Sequence, residues 1–261
     1  MADSTPGGAI LASDAVAAPR AESVVAAAPR HAAFVRITHW LSALAFFALL
    51  VSGLEIVLSH PRFYWGETGN VNTGVLFKIP VPSSRALVPT GYGYVLPDQN
   101  GWSRALHFQS AWLILIVGLV YFWLGLANGH FRRTLLPARS DLSLRSLGSS
   151  IADHLRFKRP GEEEAWSYNV LQRLSYLVVL FVAFPLIIWT GLAMSPSFTS
   201  AFPHSVTLLG GRQSARTLHF FLTIFLTLFL LVHVLMVFFA GFRKRMGAMI
   251  TGWVPREKER A

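Results

Sequence analysis

The chain has 261 residues, of which 53% are hydrophobic and only 14% are charged, and its mean hydropathy is +0.46. Soluble domains carry about 25% charged residues, so this composition excludes an ordinary water-soluble enzyme and indicates a protein solvated by lipid. The absence of cysteine excludes disulfides, thiolate metal sites, Cys-ligated iron–sulfur clusters and covalently attached c-type haem. A net charge of +10 indicates nucleic-acid binding in a soluble protein, but here the charges follow a membrane rule and no nucleic-acid partner is expected.

The chain divides into a polar tail, a long apolar region and a second tail. Residues 1–33 are rich in Ala, Pro and Ser, have no hydrophobic period and lack the apolar core of a signal peptide, which predicts a disordered N-terminal tail. Four apolar segments of membrane length follow, at about 37–58, 105–128, 174–194 and 217–242. We therefore expect an all-α transmembrane four-helix bundle over 34–245 and a short tail over 246–261.

The basic residues are unevenly distributed between the loops. The N-terminal tail, the loop between the second and third spans and the C-terminal tail hold 17 of the 23 Lys and Arg, and the other two loops hold 6. The positive-inside rule places both termini in the cytoplasm, where these residues contact anionic membrane lipids. The extracytoplasmic loop over 59–104 is long and rich in Pro, Gly and aromatic residues, which predicts an ordered cap on that face.

Four of the nine histidines lie inside the spans. They are His39, His107, His219 and His233. Ionisable residues at membrane depth are costly and are usually functional. Each of them alone is equally well explained as a polar residue hydrogen-bonded to a neighbouring helix, so their mutual arrangement decides the interpretation.

Three of these histidines share a sequence motif. RITHW, RALHF and RTLHF each have the pattern Arg-x-x-His-aromatic at the start of a span, with Arg36, Arg104 and Arg216 as the cations. Residues three apart share a helix face, so the imidazole points into the bundle while the guanidinium stays at the membrane interface. A membrane-embedded haem needs this combination, because its iron binds an axial nitrogen and its propionates pair with a cation.

The depths of the histidines predict which of them form pairs. His219 and His233 are 14 residues apart, so they lie within about 40° of one helix face and ~21 Å apart along the axis. His107 and His219 each follow their arginine by three residues and are therefore level. His39 lies 16 residues from Glu55, and His233 lies 17 residues from Arg216 at the same surface, so these two are also level. The expected cofactors are two b-type haems, each with two axial histidines on its iron.

Several alternatives were weighed against this interpretation. Zinc is disfavoured because histidine pairs at separate depths make poor tetrahedral sites, and a proton relay needs carboxylates that the span interiors lack. Two axial imidazoles leave iron no vacant position, which favours electron transfer, and no catalytic residue is predicted. A stand-alone di-haem quinone oxidoreductase and a haem-free transporter or scaffold with a His-lined core remain open. The other five histidines are interpreted as surface residues, with His130 as a weaker candidate for binding a quinone head-group or a lipid phosphate. Pro185 is expected to kink the third span, either to make room for a porphyrin or as a plain packing kink.

The four spans also resemble a known family. RITHWLSALAFFALLVSGLEI, RALHFQSAW, YNVLQRLSYL, PLIIWTGLAMSP and RTLHFFLTIFLTLFLLVHVLM are similar to the bacterial di-haem cytochrome b subunits that anchor thiosulfate reductase, formate dehydrogenase and nickel–iron hydrogenase complexes. The resemblance covers about 34–245 and implies that the four span histidines are haem ligands. It further implies exchange of electrons with membrane quinone, a periplasmic partner that is typically a molybdopterin oxidoreductase, and a location in the bacterial inner membrane.

Overall fold

The computed structural model describes residues 30–70, 72–81, 99–137, 142–143, 148–149, 152 and 170–253. The four long helices are α1 (Ala33–Ser59), α2 (Gln99–Ala127), α3 (Val170–Ala193) and α6 (Arg212–Phe239). Shorter elements are β1 (Arg62–Phe63), β2 (Phe77–Lys78), α4 (Pro196–Ala201), α5 (His204–Thr207) and α7 (Phe242–Thr251). Of the predicted N-terminal tail over 1–33, residues 1–29 lie outside the described residues.

The prediction of an all-α protein with four membrane-length apolar helices is confirmed. The bounds differ most in the last span, which was predicted over 217–242. The helix begins five residues earlier, at Arg212, and ends at Phe239. Gly241 follows with φ of +95°, a left-handed conformation that glycine adopts at low cost, and α7 then starts as a separate helix. Part of the predicted C-terminal tail is therefore helical.

The four long helices associate as two pairs. α1 packs along α2, and α3 packs along α6, whereas within the described residues neither α1 nor α2 makes extended backbone contact with α6. The buried side chains of α1 are small and recur every seven residues, at Thr38, Ala45, Ser52 and Ser59. Small residues allow helix backbones to approach closely in lipid, where apolar surface alone gives no preference for a partner helix.

The third span accommodates Pro185 through a wide turn. Val179–Ala183 forms a π-helical turn in which the Phe184 N–H donates to the Val179 carbonyl, five residues back. Proline in a helix interior removes a hydrogen bond and clashes with the carbonyl four residues earlier, and a π-turn is one of the ways a helix adapts to such a disruption. The predicted disruption of the span thus takes the form of a π-turn. It places Val179 and Ala183 in a buried apolar cluster with Leu226 of α6.

An antiparallel hairpin packs on the start of α6. β1 pairs with β2 in the register Arg62–Lys78 and Phe63–Phe77. The Thr217 hydroxyl donates to the Tyr64 carbonyl at 2.8 Å, and the Gly66 N–H donates to Ser214 Oγ at 2.8 Å. The described part of the 59–104 loop is therefore an ordered cap, while residues 82–98 lie outside the described residues. We call this end of the bundle the hairpin end, and the opposite end, where α1 begins and α6 ends, the termini end.

At the termini end, hydrogen bonds to the last carbonyls of α7 hold this helix against the start of α1. The Arg36 guanidinium donates to the Ile250 carbonyl at 2.5 Å, the Trp40 indole to Met249 at 3.2 Å, and the Arg30 N–H to Gly252 at 2.8 Å. The last carbonyls of a helix have no partner within the helix. Arg36 and Trp40 of α1 supply two such partners. The bond from Arg30, which precedes α1, to Gly252, which follows α7, adds a third link between the two ends of the described chain.

Candidate functional site

The structure brings the four span histidines together as two pairs. The rings of His107 on α2 and His219 on α6 have their centres 6.3 Å apart, at an interplanar angle of 61°. The rings of His39 on α1 and His233 on α6 also have their centres 6.3 Å apart, at 50°. These are the pairs that the depth and facing of the histidines predict. Each pair joins a helix of the α1–α2 pair to α6.

The two histidine levels are separated by an apolar layer. His219, Leu226 and His233 are seven residues apart on α6, so they form one stripe, with ~21 Å along the axis between the two histidines. Leu226 is only 2% exposed and packs with Val179 and Ala183 of α3. The two pairs are therefore separate sites at different depths.

The donor set and the ring spacing fit a haem with two axial histidines. An imidazole bound to a first-row metal places its nitrogen ~2 Å and its ring centre roughly 3 Å from the metal, so two on opposite sides have centres roughly 6 Å apart, close to the spacing found here. Among the described residues, no group of three or more His, Cys, Asp or Glu converges on one point. Each site thus supplies two ligands, the number that a porphyrin leaves open on iron.

A buried hydroxyl backs His107 at the hairpin end. Ser52 Oγ lies 3.0 Å from His107 Nδ1, and Ser52 is 0% exposed. The same hydroxyl donates its single proton to its own helix, where the Ala48 carbonyl lies 2.6 Å away. Ser52 Oγ therefore accepts a hydrogen bond from the ring, which makes Nδ1 the protonated nitrogen and leaves the Nε2 lone pair for a metal.

Thr190 does the same for His219. Thr190 Oγ1 lies 3.0 Å from His219 Nδ1, and the Thr190 side chain is only 1% exposed. The same hydroxyl lies 2.9 Å from the Leu186 carbonyl of its own helix. With its proton given to that carbonyl, the hydroxyl accepts from Nδ1–H and His219 also presents Nε2. Both histidines of this pair are therefore held in the same tautomer, each by a hydroxyl of a neighbouring helix.

A glycine follows each hydroxyl and allows the ring to approach. A Cβ on Gly53 would lie 3.4 Å from His107 Cε1, and a Cβ on Gly191 would lie 3.4 Å from His219 Cε1. The segments VSGL of α1 and WTGL of α3 thus form equivalent supports. Ser52 and Thr190 were not predicted from the sequence, although hydroxyl-Gly-Leu recurs in two spans and each copy precedes an Arg-x-x-His-Phe motif along the chain.

The termini-end pair has different surroundings. His39 Nδ1 is buried and has no hydrogen-bond partner among the described residues. The ring of Phe229 stacks on that of His233, with the ring centres 5.9 Å apart and an interplanar angle of 21°. The ring centres of Tyr176 and His233 are 6.4 Å apart, and those of Trp40 and His39 are 5.3 Å apart in an edge-on contact. The ring contacts of this pair are thus with aromatic side chains.

The three predicted propionate-binding arginines are placed at the expected ends but differ in their partners. Arg216 donates to the carbonyls of Arg62 and His60 and lies over the Phe63 ring at 4.7 Å, so it holds the hairpin. Arg36 binds the Ile250 carbonyl of α7, and its buried Nε has no partner among the described residues. Arg104 is exposed at the hairpin end. Their role toward propionates stays a prediction.

Three of the histidines interpreted as surface residues are partly buried, so that interpretation was wrong for them. His31, His60 and His130 lie just outside the spans. Burial, followed by the charge of Arg30, lowers the pKa of His31 to about 4. Burial lowers the pKa of His130, which contacts the rings of Phe34 and Tyr121.

The remaining loop histidines differ in their burial. Burial and then the charges of Arg216 and Arg104 lower the pKa of His60. His204 is exposed, as predicted, and His154 lies outside the described residues. Sequence position next to a span end did not reveal the burial of the partly buried histidines, because that burial comes from other segments of the chain.

Comparison with known proteins identifies the family of the chain. The sequence is 28% identical over 227 residues to a protein of Azospira oryzae named as protein-methionine-sulfoxide reductase subunit YedZ1, covering 85% of this chain and 96% of that protein. No solved structure matches the chain significantly. The sequence model of prokaryotic cytochrome b561 matches residues 30–252, which include all four long helices and both histidine pairs. The chain therefore belongs to the prokaryotic cytochrome b561 family and is an integral membrane protein that binds b-type haem.

Proposed function

We propose that this protein is the membrane-anchoring di-haem cytochrome b subunit of an oxidoreductase and carries electrons between the quinone pool and a partner subunit. His107 and His219 would hold the haem at the hairpin end, and His39 and His233 the haem at the termini end. The observation that carries the proposal is the presence of two histidine pairs, each with ring centres 6.3 Å apart, at two depths of one bundle. When bound, haem supplies a one-electron carrier at each depth.

The chain's own residues keep these sites suited to electron transfer. Four proposed ligands on three helices fix the two sites relative to each other, and the buried apolar cluster around Leu226 lies between the two levels. Two imidazoles bound to one haem would leave its iron no open position for oxygen or a substrate. Electron transfer, rather than chemistry on a bound substrate, is the function that such sites support.

The arginines at the helix ends are proposed to bind the propionates. Arg104 and Arg216 lie at the hairpin end and Arg36 at the termini end, each three residues before a proposed ligand on the same helix. A guanidinium has five donors, so Arg36 and Arg216 keep donors beyond those that bind backbone carbonyls. Such pairs are charge-assisted and geometrically specific.

The proposed orientation places the termini end in the cytoplasm. Of the described basic residues, Arg132, Arg133, Arg243 and Lys244 lie at this end, in agreement with the positive-inside rule and with contacts to anionic lipids. The hairpin end would then face the periplasm of a bacterial inner membrane. In this proposal 1–33 and 246–261 are cytoplasmic segments that flank a membrane domain over 34–245.

The partner is proposed to dock at the hairpin end, on the periplasmic side. The relative from Azospira oryzae is named as a subunit of a reductase, and a reductase consumes electrons. This favours quinol as the electron donor, whose oxidation would release two electrons and two protons, and the haems held by the two histidine pairs would supply the one-electron carriers between quinol and the partner. A molybdopterin oxidoreductase is the partner type that the sequence resemblance implies.

Haem counting in the purified protein tests the proposal. A pyridine haemochrome assay should give two b-type haems per chain, and quinol addition should reduce both in the reduced-minus-oxidised spectrum. A single haem per chain would contradict the di-haem assignment. A protein with two haems that no quinol reduces would contradict the role of quinone. Co-purification of a molybdoenzyme from the native membrane would distinguish a subunit from a stand-alone quinone oxidoreductase.

A further inference from the structure

The two histidine pairs differ in the groups behind the rings. At the hairpin end, each Nδ1 lies 3.0 Å from a fully buried hydroxyl, Ser52 for His107 and Thr190 for His219. At the termini end, His39 Nδ1 has no partner among the described residues. Groups that bind the outer nitrogen of a ligating histidine fix its tautomer and raise the basicity of the ligand. The difference should therefore be visible in the cofactor's electronic properties.

The geometry points to Ser52 and Thr190 as positioning residues of the hairpin-end haem, and we propose that their hydroxyls lower the reduction potential of that haem. This inference rests on the proposed function. Each hydroxyl is fixed by its own helix, since Ser52 donates to the Ala48 carbonyl and Thr190 to the Leu186 carbonyl. The direction of the bond to the ring then follows, with Nδ1–H as the donor.

The sign of the effect on the potential follows from the charge on the ring. A hydrogen bond donated by Nδ1–H increases electron density on the imidazole and strengthens Nε2 as a ligand. A more electron-rich ligand stabilises ferric iron more than ferrous iron, which lowers the reduction potential. Removing either hydroxyl should therefore raise the potential of the hairpin-end haem and leave the termini-end haem unchanged, because Ser52 and Thr190 lie at hydrogen-bond distance from His107 and His219.

The hydroxyl and glycine behind His107 are equivalent to those behind His219. The effects of the two hydroxyls on the reduction potential should therefore add. In each case a hydroxyl at hydrogen-bond distance precedes a glycine whose Cβ position lies 3.4 Å from the ring carbon Cε1. The hydroxyl orients the ring and the glycine leaves room for it. Only the hydroxyl can be removed without adding bulk, and valine replaces threonine with nearly the same shape.

The test is a redox titration of Thr190→Val and Ser52→Ala, each purified with its haem. We expect each variant to keep two haems per chain and the termini-end haem to keep its potential. The potential of the hairpin-end haem should shift upward, so that its reduced-to-oxidised ratio at a fixed ambient potential rises severalfold. A tenfold rise corresponds to about 59 mV for one electron. The double variant should shift that haem further. The electron paramagnetic resonance signal of one oxidised low-spin haem should shift as well.

Two further variants separate positioning from general damage. Thr190→Ser keeps the hydroxyl and should restore the wild-type potential. Thr227→Val is the matched control, because Thr227 donates only to the Thr223 carbonyl of its own helix, between the two histidine levels. Should Thr190→Val lose one haem, recovery of that haem in Thr190→Ser, with wild-type content in Thr227→Val, supports the proposal.

The outcomes distinguish this inference from the proposed function. Unmoved potentials in both variants at full haem content would overturn the inference and leave the di-haem assignment intact. Equal shifts of both haems, or the same shift in Thr227→Val, would also overturn it. A wild-type protein that does not contain two haems would instead contradict the proposed function.

Discussion

At the hairpin end, both histidines of the pair are hydrogen-bonded to buried hydroxyls, whereas at the termini end the pair is surrounded by aromatic rings. The same contrast holds for the segments that close each end. Side chains of α6 bind the backbone of the hairpin, and the carbonyls of α7 are bound by α1. The bundle therefore holds two histidine pairs of equal ring spacing in different polar environments, and, under the proposed function, this difference would give two identical cofactors different properties.

The largest effect should come from removing one ligand at each end. Under the proposed function, His219→Ala should lose the hairpin-end haem and His233→Ala the termini-end haem, because each removes one of the two proposed ligands of its pair. The pyridine haemochrome assay should give about one haem per chain in each variant, with His204→Ala, an exposed histidine of α5, unchanged. If each variant keeps both haems, the two pairs are not the ligands and the comparison between them has no basis.

Arg216→Ala should destabilise the hairpin end selectively. The guanidinium donates to two backbone carbonyls of the loop, those of Arg62 and His60. A hydrogen bond to a charged group contributes about 1.5–3 kcal/mol, so we expect a loss of about that size in the free energy of unfolding in detergent. Hydrogen exchange should increase in 60–70 and stay unchanged in α7. Lys78→Ala, an exposed residue of β2, serves as the control, and a uniform increase along the chain would argue against a local role.

Acidification should loosen the termini end through His31. Its pKa is lowered from the usual 6.5 to about 4 by burial and by Arg30, with His39, Arg245 and His130 also facing it. The fold thus favours the neutral ring, and this contribution to stability is complete above pH 6.5 and is lost as the pH falls from 6.5 to 4. Hydrogen exchange of α7 should rise over this range, and His31→Asn should weaken the dependence. An identical pH profile in that variant would exclude His31 as the cause.

The smallest effect should follow from removing a single neutral hydrogen bond at the same end. Trp40→Phe deletes the donor to the Met249 carbonyl, a bond of 3.2 Å on a partly exposed side chain. The free energy that holds α7 against α1 should fall by about 0.5–1.5 kcal/mol. This loss should appear as faster proteolysis, because α7 detaches more often. Trp112→Phe, an exposed residue of α2, should leave the rate unchanged. Equal acceleration in the two variants would show that the bond does not hold α7.

Much of the fold and of the histidine arrangement could be predicted because helix geometry is local. The rise and turn per residue place His219, Leu226 and His233 on one face, and counting from the span ends puts His39 level with His233. Hydropathy alone located all four spans, although α6 starts earlier than its apolar segment, at Arg212. The boundary was missed because polar residues at a helix start pair with the hairpin instead of ending the helix.

The sequence by itself determined the number of spans, the depths of the four histidines and their facing on α6, since all of these follow from regular helix dimensions. Only the tertiary structure decided that Ser52 and Thr190 stand behind His107 and His219, that a π-turn precedes Pro185, and that α7 folds back on α1. Lipid provides no hydrophobic preference between helix faces. The lateral neighbours of each helix therefore depend on close packing and individual hydrogen bonds, which no periodicity in the sequence encodes.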